Sequence, residues 1–161
     1  MSRPSILMVD PSPESVELAR FSLWRSKLEC DFGWFEDAER AMESLFSPQA
    51  QHHPDTLPCL ILLEPRLPRM EGLDLLHMLR SQPHTQALPV IMFATSYDET
   101  DATRSREAGA NDYLVKPVDA REFMLLINQT VNYWLQHPPV TTEPGGSCDD
   151  SLPAARSDTT E

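Results

Sequence analysis

The stretch Cys59–Gly72, CLILLEPRLPRMEG, indicates the fold of this chain. Five apolar residues end at an acid, Glu64, and two prolines frame a short turn before Gly72 opens a new segment. An uninterrupted apolar run is typical of a parallel strand that is covered on both faces. The stretch therefore predicts a buried strand that brings a carboxylate to the edge of a sheet.

Four further stretches have strand patterns, and helical patterns separate them. Three are short apolar runs, and the fourth alternates large apolar residues with polar or small ones, as a half-buried strand does. This alternation of strands and helices predicts an α/β fold, a (βα)5 doubly wound five-stranded parallel sheet with helices on both faces. The predicted strands cover 5–10, 28–34, 59–63, 89–94 and 112–117, and the predicted helices 12–28, 37–46, 73–81, 97–109 and 119–135, with a proline-framed loop over 47–58.

Composition limits the class of protein. The 161 residues carry a net charge of −12, whereas nucleic-acid binding needs a basic surface, so no nucleic-acid partner is expected. No apolar run approaches the ~20 residues of a membrane span, so no membrane association is expected. The three cysteines form no metal-spaced pair, which favours reduced thiols in the cytoplasm, and Cys59 is expected to point into the core.

Two regions of the chain differ in composition. Residues 4–135 carry the strand and helix patterns and are predicted to form one domain. Residues 136–161 are rich in Pro, Gly, Ser, Thr and acids and have few large apolar residues. Such a segment cannot bury enough surface to offset its ordering entropy, so it is predicted to be a disordered acidic tail.

In parallel sheets of this kind, function lies at the carboxyl ends of the strands. The residues at these ends are Asp10, Pro11, Glu64, Ala94, Thr95, Lys116 and Pro117. They lie in three motifs, ILMVD (6–10), LILLEPRLPRMEGLDLL (60–76) and AGANDYLVKP (108–117), which together resemble the receiver domain of two-component response regulators, a flavodoxin-like fold. The long loop before Cys59, HTQALPVIMF (84–93) and VNYWLQHPP (131–139) resemble single-domain regulators that are paired with phytochrome-type histidine kinases.

The resemblance implies a phosphorylation site built from five groups. An aspartate accepts the phosphoryl group, two acids after the first strand help to hold Mg²⁺, and a Thr or Ser and a lysine contact the phosphoryl oxygens. In this chain the acid pair becomes Asp10 and Pro11, the acceptor Glu64, the hydroxyl position Ala94 and the lysine Lys116.

Three of the five groups are therefore changed. Pro11 offers no ligand to Mg²⁺, Ala94 has no hydroxyl, and Glu64 is one methylene longer than the family's aspartate. Thr95 follows Ala94, but successive strand side chains point to opposite faces, so it is not expected to replace the missing hydroxyl. Weak or no Mg²⁺ binding is expected, with Asp10 and Glu64 as residual candidate ligands, and the Arg66 guanidinium is a candidate to occupy the cation position.

These departures favour a stand-alone, degenerate receiver that is not an enzyme, needs no cofactor and works through protein contacts. Its expected partners are a sensor histidine kinase, another signalling protein or a second copy. Lys116 is expected to pair with Glu64, and Asp10 is either a residual metal ligand or a solvated acid that pairs with Lys116. The alternatives are a working phosphoacceptor with unusual site residues and a flavin or small-molecule site, although the sequence lacks a glycine-rich phosphate cradle.

The resemblance also implies a switch and output face, with Tyr113 and Thr95 as its candidate residues. Tyr113 matches an aromatic that turns inward in active receivers, although a half-buried strand tyrosine is equally consistent with the pattern. Tyr133 and Trp134 either pack on the domain or contribute to a homodimer face made of the predicted fourth helix, fifth strand and fifth helix, residues 97–135.

Overall fold

The computed structural model describes residues 3–138, which form a five-stranded parallel sheet between two layers of helices. The strands are β1 (Ser5–Val9), β2 (Asp31–Phe35), β3 (Leu60–Leu63), β4 (Val90–Ala94) and β5 (Asp112–Val115). The helices are α1 (Pro13–Arg25), α2 (Ala38–Leu45), α3 (Pro48–His52), α4 (Gly72–Ser81), α5 (Glu99–Glu107) and α6 (Ala120–Gln136).

The strand order is β2-β1-β3-β4-β5, so the chain reverses direction across the sheet after β2. All neighbouring strands are parallel, and their carboxyl ends therefore meet at one edge. The gap between β1 and β3 at this edge is the switch point at which such sheets place their sites. The predicted (βα)5 fold is confirmed.

Alternate side chains of the central strands fill two cores. Leu7 and Val9 of β1 face the core under α2–α5, whereas Ile6 and Met8 face the core under α1 and α6. β3 and β4 contribute to both cores in the same way, which explains why their sequences are apolar throughout. Both cores close tightly around the strands, which fixes the side chains at the strand ends.

One predicted loop is wrong, because residues 47–58 contain helix α3 and a short 3₁₀ turn, Pro54–Thr56. Pro48 and Pro54 do not break these helices, since each occupies the first turn, where no backbone N–H is needed. The Ser47 hydroxyl caps α3 by accepting from Ala50 N–H. The described chain thus has six α-helices instead of five, and the predicted fourth and fifth helices are α5 and α6.

β2 begins three residues later than predicted. Lys27 ends α1 in a left-handed conformation, with φ of 61°, and Leu28 N–H donates to the Leu23 carbonyl. This helix-terminating turn uses residues that alternate like a strand in the sequence. Cys59 is also outside its predicted strand, and it is exposed instead of pointing into the core.

The tail predicted for 136–161 falls mostly outside the described residues, which end at 138. Its first residue, Gln136, is the last residue of α6. Between residues 3 and 138, none of the helices is both long and apolar enough to cross a membrane.

Candidate functional site

Three charged side chains meet at the carboxyl edge of the sheet. β1, β3 and β5 end immediately before Asp10, Glu64 and Lys116. The Lys116 ammonium lies 2.6 Å from Asp10 Oδ2 and 2.9 Å from Glu64 Oε2. All three side chains are buried, with Lys116 only 8% exposed, so one cation is held between two carboxylates in a poorly solvated site.

The backbone around Asp10 fixes its carboxylate. Asp10 N–H donates to the Phe35 carbonyl, and Ser12 N–H donates to Asp10 Oδ1 at 2.8 Å. The Trp34 indole N–H donates to the Asp10 carbonyl at 2.7 Å. Asp10 Oδ2 makes no well-directed hydrogen bond, and its contact with the Lys116 ammonium is ionic. Asp10 is therefore a buried acid paired with Lys116, and the solvated position expected for it is wrong.

Burial dominates the ionisation of Asp10. Burial raises the pKa of its carboxyl above the usual value, and Lys116 opposes this shift without cancelling it. The negative charge of Glu64 raises the same pKa further. The Lys116 ammonium thus does not fully offset the cost of holding the Asp10 carboxylate out of water.

Both carboxylate oxygens of Glu64 have partners. Oε1 accepts from Arg66 N–H at 3.1 Å, and Oε2 accepts from the Thr95 hydroxyl at 2.9 Å as well as contacting Lys116. The ion pair expected between Glu64 and Lys116 is present. The buried Glu64 carboxylate thus lies within hydrogen-bonding distance of the Thr95 hydroxyl.

Thr95 contacts the site in a way that the sequence did not suggest, because its hydroxyl donates to Glu64 itself. β4 ends at Ala94, so the alternation of strand side chains no longer applies to the next residue. Ala94 is buried and offers no polar group, whereas the exposed Thr95 places its hydroxyl on Glu64. The predicted end of this strand at Ala94 is correct, but the strand's alternation of side chains does not extend to Thr95.

Arg66 does not take the cation position suggested for it. Its guanidinium turns outward and lies 2.6 Å from Asp101 Oδ2 on α5, with Glu71 at 3.9 Å. Only its backbone N–H reaches the site, a contact that no sequence signal would reveal. The cation beside Asp10 and Glu64 is Lys116.

Tyr113 is turned inward. Only 7% of its surface is exposed, and it packs in the same core as Ala94 and Ala102. Burial raises the pKa of its hydroxyl, and the nearby Asp101 carboxylate adds to this effect. Tyr97, from the loop after β4, contacts its ring edge-on with centroids 6.0 Å apart. Trp134 also packs on the domain, whereas Tyr133 is exposed.

The residues present do not fit the Mg²⁺ that the resemblance implies. Mg²⁺ prefers octahedral oxygen ligands, and Pro11 supplies no side-chain oxygen. Lys116 already lies between the remaining acids, Asp10 and Glu64, at hydrogen-bonding distance from both. Within residues 3–138, no group of three or more His, Cys, Asp or Glu side chains is arranged to hold a metal ion.

Comparisons with known proteins agree with the fold. Residues 6–128 match the model of the response regulator receiver domain. An uncharacterised 14.6 kDa protein in the sodA1 3′ region of Leptolyngbya boryana is 32% identical over 86% of this chain and 96% of its own length. Response regulator Rcp1 of Synechocystis is 28% identical over 81% of this chain and 88% of its own length.

Solved structures extend the similarity. The Mn²⁺-bound form of Rcp1 has a TM-score of 0.74 and 26% identity, covering 86% of this chain and 99% of that one. The bacteriophytochrome response regulator AtBRR has a TM-score of 0.64 and 28% identity, covering 82% and 94%. The resemblance to receivers of phytochrome-associated, single-domain regulators is confirmed.

Proposed function

Because the chain belongs to the response regulator receiver domain family, we propose that it is a degenerate receiver that signals through protein contacts without being phosphorylated. One observation carries this proposal: the Lys116 ammonium joins Asp10 and Glu64 directly, at 2.6 and 2.9 Å. The arrangement is complete without a metal ion or a phosphoryl group.

The state of Glu64 supports the loss of phosphotransfer. A nucleophilic carboxylate needs a free oxygen in line with the phosphoryl group, but Glu64 Oε2 already accepts from Thr95 and contacts Lys116. The other oxygen accepts from Arg66 N–H. These contacts stabilise the negative charge on the Glu64 carboxylate and so weaken it as a nucleophile, although Oε1 keeps a second lone pair.

The missing groups support the same conclusion. Neither Pro11 nor Ala94 can replace the ligand or the hydroxyl that stabilises the transferring phosphoryl group in the family. Thr95 could supply a hydroxyl only by leaving Glu64. Every protein group that the transfer needs is therefore absent or already engaged.

Signalling would then depend on binding a protein. The similarity to phytochrome response regulators favours a sensor histidine kinase of that type, or a protein that such a kinase controls, as the partner. Apolar side chains are exposed around the carboxyl end of β5, at Tyr97, Val115 and Val118, and they supply a candidate contact surface. We propose that a homodimer forms through the same face, made of α5, β5 and α6. The cytoplasmic location stays a prediction.

The competing function is a working phosphoacceptor with unusual residues, and one assay separates the two. The full chain is incubated with Mg²⁺ and acetyl phosphate beside an ordinary receiver, and intact masses are recorded. We expect no phosphoryl group on the wild type. The variant Pro11→Asp/Glu64→Asp/Ala94→Thr restores the family's three groups and is expected to be labelled.

Labelling of the wild type at the rate of the ordinary receiver would overturn the proposal. In that case Glu64→Gln identifies the acceptor, because labelling that survives this change must lie on another residue.

A further inference from the structure

The loop between β4 and α5, residues 95–98, is tied to the buried site by one side-chain hydrogen bond. The Thr95 hydroxyl donates to Glu64 Oε2 at 2.9 Å, and the same oxygen contacts Lys116. Thr95 itself lies at the exposed rim, whereas Glu64 is buried. This bond therefore connects the ion pair inside the sheet edge to a surface loop.

We infer that the Glu64–Thr95 hydrogen bond is a permanent latch that holds the β4–α5 loop and Tyr113 in one arrangement, so that the surface of α5 and β5 is fixed without a phosphoryl group. The inference rests on the proposed function, in which this surface binds a partner. Glu64 and Thr95 are positioning residues in it, since neither needs to touch the partner.

Two chains of contacts lead from Glu64 to the first turn of α5. One follows the Thr95 contact and then the loop backbone to Asp98, whose side chain caps α5 by accepting from Asp101 N–H at 3.0 Å. The other runs through Arg66, whose N–H binds Glu64 and whose guanidinium binds Asp101 Oδ2 at 2.6 Å. Both converge on Asp101, so a shift of the Glu64 carboxylate would be felt at the start of this helix.

Tyr113 lies beneath the latched loop. Its ring meets Tyr97 edge-on, and its hydroxyl is buried near Asp98 and Asp101. The Asp98 backbone N–H lies near enough to lower the pKa of this hydroxyl, but among residues 3–138 the hydroxyl makes no well-directed hydrogen bond. A buried hydroxyl without a hydrogen bond favours rotation toward water. The inward position therefore needs the loop to hold it, which supports the latch independently of the Thr95 contact.

The length of Glu64 is what makes the latch possible. An aspartate at this position would withdraw the carboxylate by one methylene, away from the rim where Thr95 lies. Glu64→Asp is accordingly expected to release the loop. Thr95→Val is expected to do the same, because it removes the hydroxyl that donates the hydrogen bond. Glu64→Asp, which restores the aspartate typical of the family, would thus loosen the surface of α5 and β5.

Fluorine NMR on the full chain tests this inference. The chain has three tyrosines, Tyr97, Tyr113 and Tyr133, so 3-fluorotyrosine gives three resonances that single Tyr→Phe variants assign. In the wild type we expect one Tyr113 resonance at a buried position. In Thr95→Val we expect this resonance to broaden or to gain a second, solvent-like component.

Hydrogen exchange supplies a second readout in the same samples. Peptides covering 95–101 are expected to exchange about tenfold faster in Thr95→Val, which corresponds to ~1.4 kcal/mol of lost protection. Thr103→Val, the same change at an exposed position on α5, serves as the matched control and should leave both readouts unchanged. Glu64→Asp should reproduce the effect of Thr95→Val.

The inference is overturned if Thr95→Val keeps the Tyr113 resonance and the exchange of 95–101 at wild-type values, or if Thr103→Val changes them equally. Because these measurements contain no phosphodonor, their failure leaves the proposed function standing. Labelling of the wild type by acetyl phosphate would overturn the proposed function and leave the latch measurements valid.

Discussion

At the scale of single residues, Asp10 is subject to two opposing effects. Burial raises the pKa of its carboxyl from the usual 3.8, and the Lys116 ammonium lowers it by a smaller amount. The folded chain therefore holds this proton more tightly than the unfolded chain does. The contribution of Asp10 to the free energy of unfolding consequently falls as the pH rises above 3.8 and levels off above the raised pKa.

Asp10→Asn makes this contribution measurable. We expect the free energy of unfolding of the wild type, minus that of Asp10→Asn, to decrease with rising pH across the window that begins near 3.8. Urea unfolding at a series of pH values gives both quantities. A difference that grows with pH would mean that Lys116 outweighs burial at this site.

The same residues show how far the sequence predicts the site. Asp10, Glu64 and Lys116 could be brought together because each follows an apolar strand and parallel strands end at one edge. The Thr95 contact with Glu64 could not be predicted, because Thr95 lies beyond the end of β4 in a loop whose conformation no periodic pattern specifies. The outward turn of Arg66 depends on Asp101, which is 35 residues away in the sequence.

At the scale of elements, α4 begins directly against the end of β3. A Cβ on Gly72 would overlap the Glu64 carbonyl oxygen and lie 3.0 Å from Pro65 Cα. Both of these neighbours are backbone atoms, so a change of side-chain rotamer cannot relieve the overlap. Gly72→Ala is therefore expected to destabilise the fold by ~1–3 kcal/mol, as other overpacked sites do, in urea unfolding.

Gly33→Ala is the control for this prediction. A Cβ on Gly33 would lie 3.7 Å from Leu7 Cδ1, an ordinary contact, and the glycine lies in strand β2. We expect a change within ~0.5 kcal/mol, since Gly in a strand interior gives no packing advantage. Equal losses in the two variants would contradict the role assigned to Gly72.

The elements that the sequence missed share a cause. α3 was hidden because Pro48 resembles a loop signal, although proline at the first helical position is compatible with a helix. The predicted second strand began too early, because Leu28 lies in the turn that ends α1, where its N–H donates to the Leu23 carbonyl. Local patterns identify strong elements well, but they cannot distinguish a capped short helix from a loop.

At the scale of the whole molecule, exposed apolar groups surround the carboxyl end of β5. Tyr97 is 59% exposed, and Val118, in the loop before α6, is fully exposed. If a homodimer forms through α5, β5 and α6, a charge at this position should be incompatible with the interface. We therefore expect the wild type to sediment as a dimer and Val118→Glu as a monomer.

Leu125→Glu is the matched control for the dimer. Leu125 is also exposed and lies on α6, but on the side of that helix that faces α1, where it lines a groove with Ser22 and Arg25. Its substitution should leave the dimer intact. A wild-type monomer at all concentrations, or equal dissociation of the two variants, would rule out this interface.

The two ends of the described chain lie at the same edge of the sheet. Arg3 and Pro138 line one cavity of about 460 Å³, together with the residues that precede β3 and β4. This edge is opposite to Asp10, Glu64 and Lys116, because all five strands run the same way. A solid support attached at Arg3 or Pro138 would therefore lie on the side of the sheet away from the charged cluster. Immobilised protein should present that cluster and the Tyr97 loop outward, which suits the chain to affinity capture of its partners.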